Sequence, residues 1–151
     1  MEKKFKAFIS GALSGVHGKV MLETFYERIA ALCEKENITA FVPHLQASST
    51  PEHPYSPDEI YKINMDAIEA ADLLIAYVGQ PAIGVGMEIQ KACAHNKDII
   101  IISEKDVPLS ILLSGCREII IKILFDDFDN ALSQLQTALK KWLDGKKVGK
   151  V

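Results

Sequence analysis

The sequence has few cysteines, no long apolar stretch and no excess of charge of one sign. Its 151 residues include three cysteines that lie far apart, an odd number that argues against a disulfide framework and favours a reducing, cytoplasmic location. No apolar run approaches the ~20 residues that span a bilayer, and the N-terminal apolar stretch is too short for a signal peptide. We therefore expect no membrane partner.

The charge balance is nearly even, with 17 Lys and Arg against 20 Asp and Glu and no long run of either sign. A surface that follows a nucleic acid backbone needs a basic stripe, so we expect no nucleic acid partner. Hydrophobic residues make up 48% and charged residues 25%, close to the average of folded domains, which excludes disorder. The length predicts one domain over residues 1–151, with 145–151 as a frayed tail.

Several motifs of common enzyme classes are missing. The dinucleotide fingerprint needs a third glycine three residues after Gly86, where Ile89 stands, and the phosphate loop of nucleotide triphosphatases is absent. No G-x-S-x-G elbow of a serine hydrolase occurs. The histidines and cysteines share no zinc-binding spacing, so we expect no metal and no cofactor.

Short apolar runs alternate instead with amphipathic segments. Strands are predicted over residues 4–9, 38–42, 73–78, 99–102 and 118–124. Helices are predicted over residues 19–35, 56–71 and 87–96, and from residue 127 or 129 to 142. This alternation predicts an α/β fold: a doubly wound, Rossmann-like, five-stranded parallel sheet with helices on both faces.

In such sheets, ligands bind outside the carboxyl ends of the strands. Ser10 and Gly11 follow the first predicted strand, where a receiver domain would have acidic residues. His44 follows the second strand and is either a ligand contact or a loop histidine with a satisfied hydrogen bond. These strand-end residues are the first candidates for a site.

The loop after the third strand contains Gly84 and Gly86 and opens the helix predicted over 87–96. Glycines permit close backbone approach, and a helix N-terminus offers free N–H groups to an anion. Glu88 is predicted in the first turn, where it either contacts a ligand or complements the helix dipole. Spacing alone favours the dipole role.

The helix predicted over 56–71 has one apolar face, and Asn64 falls within it. Asp66 falls on the opposite, polar side. A polar amide on a buried face needs partners, so Asn64 is bonded either to the backbone or to a ligand, and the sequence leaves both open.

Four segments together carry a family resemblance: FISGALSG at 8–15, VPHL at 42–45, NMDAIEAADLLIAYVGQPAIGVGMEIQKACAHNK at 64–97 and PLSILLSG at 108–115. In this order they resemble the nucleoside 2-deoxyribosyltransferase family, and particularly its branch of 2'-deoxynucleoside 5'-phosphate N-hydrolases. The segment from AADLL to GVGMEI is the most specific part. The resemblance implies a small-molecule enzyme that cleaves the N-glycosidic bond between a nucleobase and its sugar.

The resemblance also implies roles for residues. The Glu of GVGxE is the family's nucleophile, so the resemblance implies that role for Glu88. This replaces the helix-dipole role that spacing alone favoured. An oxocarbenium-like transition state is stabilised by a carboxylate beneath the anomeric carbon. The family acid that serves the leaving base is replaced by Asn64. Asp66, two residues away, can substitute only if the helix is turned differently from the predicted wheel. Family members complete the pocket with a residue of a neighbouring chain, matched by Ser110, so a homo-oligomer, most simply a dimer, is implied.

Other positions depart from the family pattern. Ser14 and Ala82 stand where polar or basic residues hold a 5'-phosphate, and Phe8 stands where deoxyribose-selective members often have Tyr. The predicted substrate contacts are Phe8, Ser10, Gly11, Ser14, His44, Ala82, Gly84, Gly86 and Ser110.

The leading function is an N-glycosidase that acts on nucleosides or their 5'-monophosphates and gives the sugar to water or to another base. The alternative is a nucleoside or nucleotide sensor of the same fold with little or no turnover, which Asn64 and Ala82 favour. An adaptor without a small-molecule site would not need the intact GVGME segment.

Overall fold

Five parallel strands form one sheet in the computed structural model, which describes residues 3–52 and 54–149. The strands are β1 (Phe5–Ser10), β2 (Ile38–Phe41), β3 (Leu73–Tyr77), β4 (Asp98–Glu104) and β5 (Ile119–Phe125), in the spatial order β2-β1-β3-β4-β5. All four neighbouring pairs are parallel. The predicted sheet is confirmed, and its strand bounds differ from the prediction by one or two residues.

The central strands are apolar on both faces because helices cover both faces. Helices α1 (Lys19–Lys35) and α6 (Phe128–Val148) pack on one face, and α3 (Pro57–Ala70) and α4 (Ile83–Ala94) pack on the other. In β3, Ile75 contributes to the first core and Leu74 to the second. None of the described helices combines the length and the apolarity needed to cross a membrane.

The start of α3 is a capping box. The Ser56 hydroxyl accepts a hydrogen bond from the Glu59 backbone N–H at 3.2 Å, and the Ser56 N–H donates to Glu59 Oε2 at 2.7 Å. At the start of α6 the sequence left two caps open, and Asp127 is the observed one: its Oδ1 accepts from Asn130 N–H at 2.8 Å. Local capping chemistry thus determines both helix starts.

Helix α4 begins at Ile83, four residues before the predicted start, because Gly84 and Gly86 are helical rather than part of the loop. The expectation that Glu88 lies in the first turn is therefore wrong, and it lies in the second. This position weakens the helix-dipole interpretation of Glu88, since the dipole acts mainly within the first turn.

Three further differences concern short or terminal segments. The sequence did not predict α2 (Pro43–Gln46) or α5 (Ile111–Gly115). Helix α6 continues through Val148, so residues 145–148 of the predicted tail are helical. Lys146 Nζ lies 2.6 Å from Asp98 Oδ2 and ties this last turn to the sheet. Residues 150–151 of the predicted tail lie outside the described residues.

The strand order creates one opening at the carboxyl edge of the sheet. The chain leaves β1 toward α1 on one face and leaves β3 toward α4 on the other, so the two connections diverge. Such a switch point is where ligands bind in doubly wound folds. Ser10, the last residue of β1, pairs in register with Ala76 of β3 at this point.

Candidate active site

The side chains of Ser10 and Glu88 meet at the switch point. The Ser10 hydroxyl donates a hydrogen bond to Glu88 Oε1 at 3.2 Å. Ser10 is fully buried at the end of β1, and Glu88 is partly buried on α4. The structure therefore brings together two predicted site residues that are 78 positions apart in the chain.

Burial raises the pKa of Glu88 to about 7, although the Ser10 hydrogen bond acts in the opposite direction by favouring the carboxylate. Desolvation penalises the charged form of an acid, and a hydrogen bond to that form offsets part of the penalty. A carboxylate with little hydration is a better nucleophile or proton acceptor than a solvated one, and such perturbed acids are frequent at active sites.

Open space adjoins Glu88 on its own helix face. Gly84 lies four residues before Glu88, so both share one side of α4. A Cβ atom added at Gly84 would meet no protein atom within 4 Å. Glycine inside a helix costs roughly 0.5–1 kcal/mol relative to alanine, and packing does not explain that cost here. The protein therefore leaves space at Gly84, on the side of α4 that also carries Glu88.

Asn64 points inward from α3, as predicted. Its Nδ2 donates a hydrogen bond to the Ile60 carbonyl at 2.9 Å. Its Oδ1 is buried and has no hydrogen-bond partner among the described residues. Asp66 lies on the exposed side of the same helix and is bound to Lys62. Of these two candidates, only Asn64 offers a buried, unused acceptor.

Gly11 and His44 lie around the buried ring of Tyr26. A Cβ at Gly11 would come within 2.2 Å of Tyr26, so no other residue fits there without movement. His44 Nε2 lies 2.9 Å from Glu27 Oε1, while its buried Nδ1 has no hydrogen-bond partner in the described part of the chain. Burial, and then the charges of Glu104, Glu23 and Glu88, raise the pKa of Tyr26.

Sequence reasoning missed Glu104, the last residue of β4. Its Oε1 accepts a hydrogen bond from the Tyr77 hydroxyl at 2.7 Å, and its Oε2 is buried without a hydrogen-bond partner within the described ranges. The signal that could have found Glu104 was its position at the carboxyl end of a central strand, where ligand-binding side chains concentrate. The structure thus holds a second carboxylate near Tyr26.

Three other predicted contacts line a separate cavity of about 490 Å³ between α4 and residues 107–116. These residues are Ala82, Gly86 and Ser110. Neither Ser10 nor Glu88 belongs to its walls. Gly86 is two positions from Glu88, which places the two on nearly opposite sides of the helix. Within one chain the predicted contacts therefore form two groups, one on each side of α4.

The two remaining predicted contacts are placed differently. Phe8 is fully buried and stacks on Phe41 with ring centroids 5.4 Å apart, so the predicted substrate contact has no surface that a substrate could touch. Ser14 is exposed in the loop between β1 and α1. His17 and Gln80 fix this loop, because their paired hydrogen bonds of 3.0 and 3.1 Å join it to the loop after β3.

One group of potential metal ligands exists among the described residues, although the sequence spacing gave no sign of it. Cys93, Cys116 and Glu118 place their ligand atoms within 4.8 Å of one another. None of them touches Ser10 or Glu88 through a described hydrogen bond. The group therefore lies apart from the switch-point site.

Comparison with known proteins identifies a family that this chain matches over most of its length. The model of the nucleoside 2-deoxyribosyltransferase family matches residues 14–135. A Methanosarcina mazei protein, whose name assigns it to the 2'-deoxynucleoside 5'-phosphate N-hydrolases, is 30% identical over 122 residues, which are 80% of this chain and 74% of that protein. A Methanococcoides burtonii protein with the same name is 28% identical over 73% of this chain and 89% of its own length.

Solved structures agree on the fold. The CMP N-glycosidase of Clostridium botulinum has a TM-score of 0.69 at 22% identity and covers 88% of this chain and 98% of its own. A 2-deoxyribosyltransferase of Bacillus psychrosaccharolyticus has a TM-score of 0.63 at 14% identity, with 84% and 90% covered. At these identities the structural likeness concerns the fold alone.

Proposed function

This chain belongs to the nucleoside 2-deoxyribosyltransferase family, and we propose that it cleaves the N-glycosidic bond of a nucleoside or nucleoside 5'-monophosphate with Glu88 as its nucleophile. The bond between base and sugar is broken, and the sugar passes to water or to a second base. The observation that carries this proposal is the buried Ser10–Glu88 pair beside the open face at Gly84.

In the proposed mechanism the ionised carboxylate of Glu88 attacks the anomeric carbon while the bond to the base breaks. Ser10 holds Oε1, which leaves Oε2 free to attack. A glycosyl ester forms on Glu88, and water or another base then attacks the same carbon from the opposite side. The two displacements together retain the configuration of the sugar.

Asn64 is proposed to bind the leaving base rather than to protonate it. Its buried Oδ1 can accept a hydrogen bond from an amino or N–H group, but an amide has no proton that titrates near neutral pH. The proton then comes from water or from His44, because the Asp66 carboxylate is exposed and bound to Lys62. Slow turnover follows from this weak acid assistance.

The start of α4 is the proposed place for a 5'-phosphate. Its cap residue, Ala82, offers no side-chain acceptor to the first-turn N–H groups, which leaves them available to an anion. Ser14 is exposed and can add a hydroxyl group. The names of the Methanosarcina mazei and Clostridium botulinum proteins, which specify nucleotides, support testing monophosphates first.

A homodimer is proposed from the exposed apolar residues of α4 and α5. Ile83 is 88%, Ile111 85% and Leu112 81% exposed, which is unusual for side chains of this size. Ser110 lines the cavity on the far side of α4 from Glu88, so in a dimer it can serve the partner's site. Sedimentation at micromolar concentration tests this; a fully active monomer would contradict it.

A cytoplasmic location stays a prediction from the three free cysteines.

The decisive experiment incubates the protein with a panel of nucleosides and 5'-monophosphates and measures free base by chromatography. We expect base from at least one substrate and none from Glu88→Gln. The second candidate, a sensor, is favoured by Asn64 at the place of the family acid. Saturable binding of a panel member without base release, even at stoichiometric enzyme, would establish the sensor and overturn the enzyme.

A further inference from the structure

Two cysteines from different elements meet beside the cavity between α4 and α5. Cys93 lies near the end of α4, and Cys116 follows the last residue of α5. Their Sγ atoms are 2.6 Å apart, and both residues line the cavity wall. Because 23 positions separate them, no local motif announces the pair.

The separation of the sulfur atoms distinguishes two kinds of chemistry. A disulfide bond is about 2.05 Å long. Two thiolates that share a tetrahedral zinc ion at about 2.3 Å each lie roughly 3.8 Å apart. The Cys93 and Cys116 sulfur atoms touch with no room for an ion between them, which fits the first arrangement, and the Cys116 thiol donates a hydrogen bond to Glu118 Oε2 at 3.5 Å. We propose that Cys93 and Cys116 form a reversible disulfide, a modification site that links α4 to α5.

The bond requires a two-electron oxidant, and a small-molecule disulfide such as glutathione disulfide supplies it. The Cys116 thiolate attacks one sulfur of the oxidant, forms a mixed disulfide and releases one thiol. Cys93 then attacks Cys116 Sγ, closes the protein disulfide and releases the second thiol. Two protein thiols are oxidised, and one small disulfide is reduced to two thiols.

The surroundings fit this order of attack. Cys93 Sγ is in direct contact with Cys116 Sγ, so proximity favours Cys93 for the second, intramolecular step. Cys33, the third cysteine, is fully buried in the other core and has no access to the pair. A reversible bond of this kind is compatible with a reducing compartment, where disulfides are transient.

The bond would act on the cavity rather than on Glu88 directly. It would close the segment 94–115, which includes β4 and α5, and fix α5 against the helix that carries Glu88. Ser110 and the exposed Leu112 belong to this segment. Oxidation therefore changes the freedom of the cavity wall, and its detection does not depend on the proposed enzymatic activity.

The test equilibrates the full chain with glutathione disulfide and counts thiols after denaturation. We expect the count to fall from three to one and to recover with dithiothreitol, and peptide mapping should find a Cys93–Cys116 crosslink. The melting temperature should rise by roughly 5–10 °C on oxidation. Cys33→Ala should still lose two thiols, whereas Cys93→Ser and Cys116→Ser should form no crosslink.

Three results would overturn the proposal. The first is a count of three thiols at an oxidant excess that fully oxidises a dithiol peptide. The second is a glutathione adduct on Cys116 that persists without a crosslink in the wild-type chain. The third is stoichiometric zinc in the purified protein that Cys93→Ser or Cys116→Ser removes, which would instead establish a metal site with Glu118.

Discussion

Two carboxylates lie near Tyr26 at the carboxyl edge of the sheet, and their surroundings differ. Glu88 accepts a hydrogen bond from Ser10 on the face covered by α3 and α4. Glu104 accepts one from Tyr77 on the face covered by α1 and α6. Each carboxylate uses one oxygen in a hydrogen bond to a hydroxyl, so charge and bonding alone do not distinguish them.

The neighbouring glycines distinguish them. A Cβ at Gly84, on the same helix face as Glu88, meets nothing within 4 Å, whereas a Cβ at Gly79 would lie 1.9 Å from Glu104 Oε2. The backbone at Gly79 packs against Glu104, whereas the protein leaves the space at Gly84 open. Under the proposed function this difference favours Glu88 for the reacting role and leaves Glu104 to position Tyr77.

The largest expected effect tests this division directly. Glu88→Gln keeps the size of the side chain but removes the nucleophile, so base release should fall by roughly 10³-fold or more. Glu104→Gln is the matched control, because it removes a carboxylate that packs against the backbone at Gly79 and binds Tyr77. Its rate should stay within about tenfold of wild type, measured as free base per folded enzyme. Equal losses in both variants would abolish the distinction.

The next largest effect concerns Asn64, which is proposed to bind the leaving base. Asn64→Asp supplies a titratable acid, and general acid assistance is worth roughly 10²–10⁴-fold, so base release should rise by about 10². Asn64→Ala, which gains no acid, should not show the increase. A neutral or harmful effect of Asn64→Asp at unchanged substrate affinity would show that the amide already serves departure.

Stability should also distinguish Glu88 from an exposed carboxylate. Its folded pKa, about 7, lies above the ordinary 4.5, so the folded protein holds a proton that the unfolded chain releases, and stability falls as pH rises from about 4.5 to 7. Glu88→Gln escapes this loss. Its advantage over wild type in the free energy of unfolding should grow by up to about 3 kcal/mol between pH 4.5 and pH 8.

Urea denaturation, followed by circular dichroism at the two pH values, measures how the difference in the free energy of unfolding between Glu88→Gln and wild type changes with pH. Glu52→Gln, in an exposed loop, is the control and should show no such change. If the advantage of Glu88→Gln were the same at both pH values, Glu88 would not be desolvated in the folded protein.

The sequence predicted the sheet because its signals are local. Unbroken aliphatic runs such as residues 99–102 indicate buried parallel strands, and the Ser56 capping box marks a helix start without reference to the rest of the chain. The start of α4 was missed for a related reason. Gly84 and Gly86 have low helix propensity, and tertiary packing of Val85 and Ile89 overrides it.

The site could be predicted only in part. The family resemblance pointed to Glu88, whose role as nucleophile stays a prediction, and the helical wheel correctly turned Asn64 inward. The packing of Glu104 against Gly79 and the meeting of Cys93 with Cys116 depend on contacts between distant elements. No periodicity or short motif encodes such contacts, so only the structure shows them.

A smaller effect tests the volume argument at the two glycines. Gly79→Ala forces Cβ against Glu104 and should destabilise the protein by about 1–3 kcal/mol. Gly84→Ala should instead stabilise it by roughly 0.5–1 kcal/mol, because alanine favours the helix and meets no protein atom. Gly84→Ala should also weaken substrate binding, as measured by calorimetry. Stabilisation without any loss of affinity would show that the space beside Glu88 is not used by substrate.

The smallest effect concerns the hydrogen bond between Ser10 and Glu88. In the proposed mechanism the ionised carboxylate of Glu88 reacts, so kcat/KM should rise about tenfold per pH unit below pH 7 and level off above it. Ser10→Ala removes the bond that favours the carboxylate, so the midpoint should move upward by about one unit. Ser103→Ala is the control, since Ser103 is equally buried but donates to the Glu104 carbonyl. An unchanged midpoint in Ser10→Ala would mean that Ser10 does not tune the nucleophile and that its hydrogen bond to Glu88 is structural only.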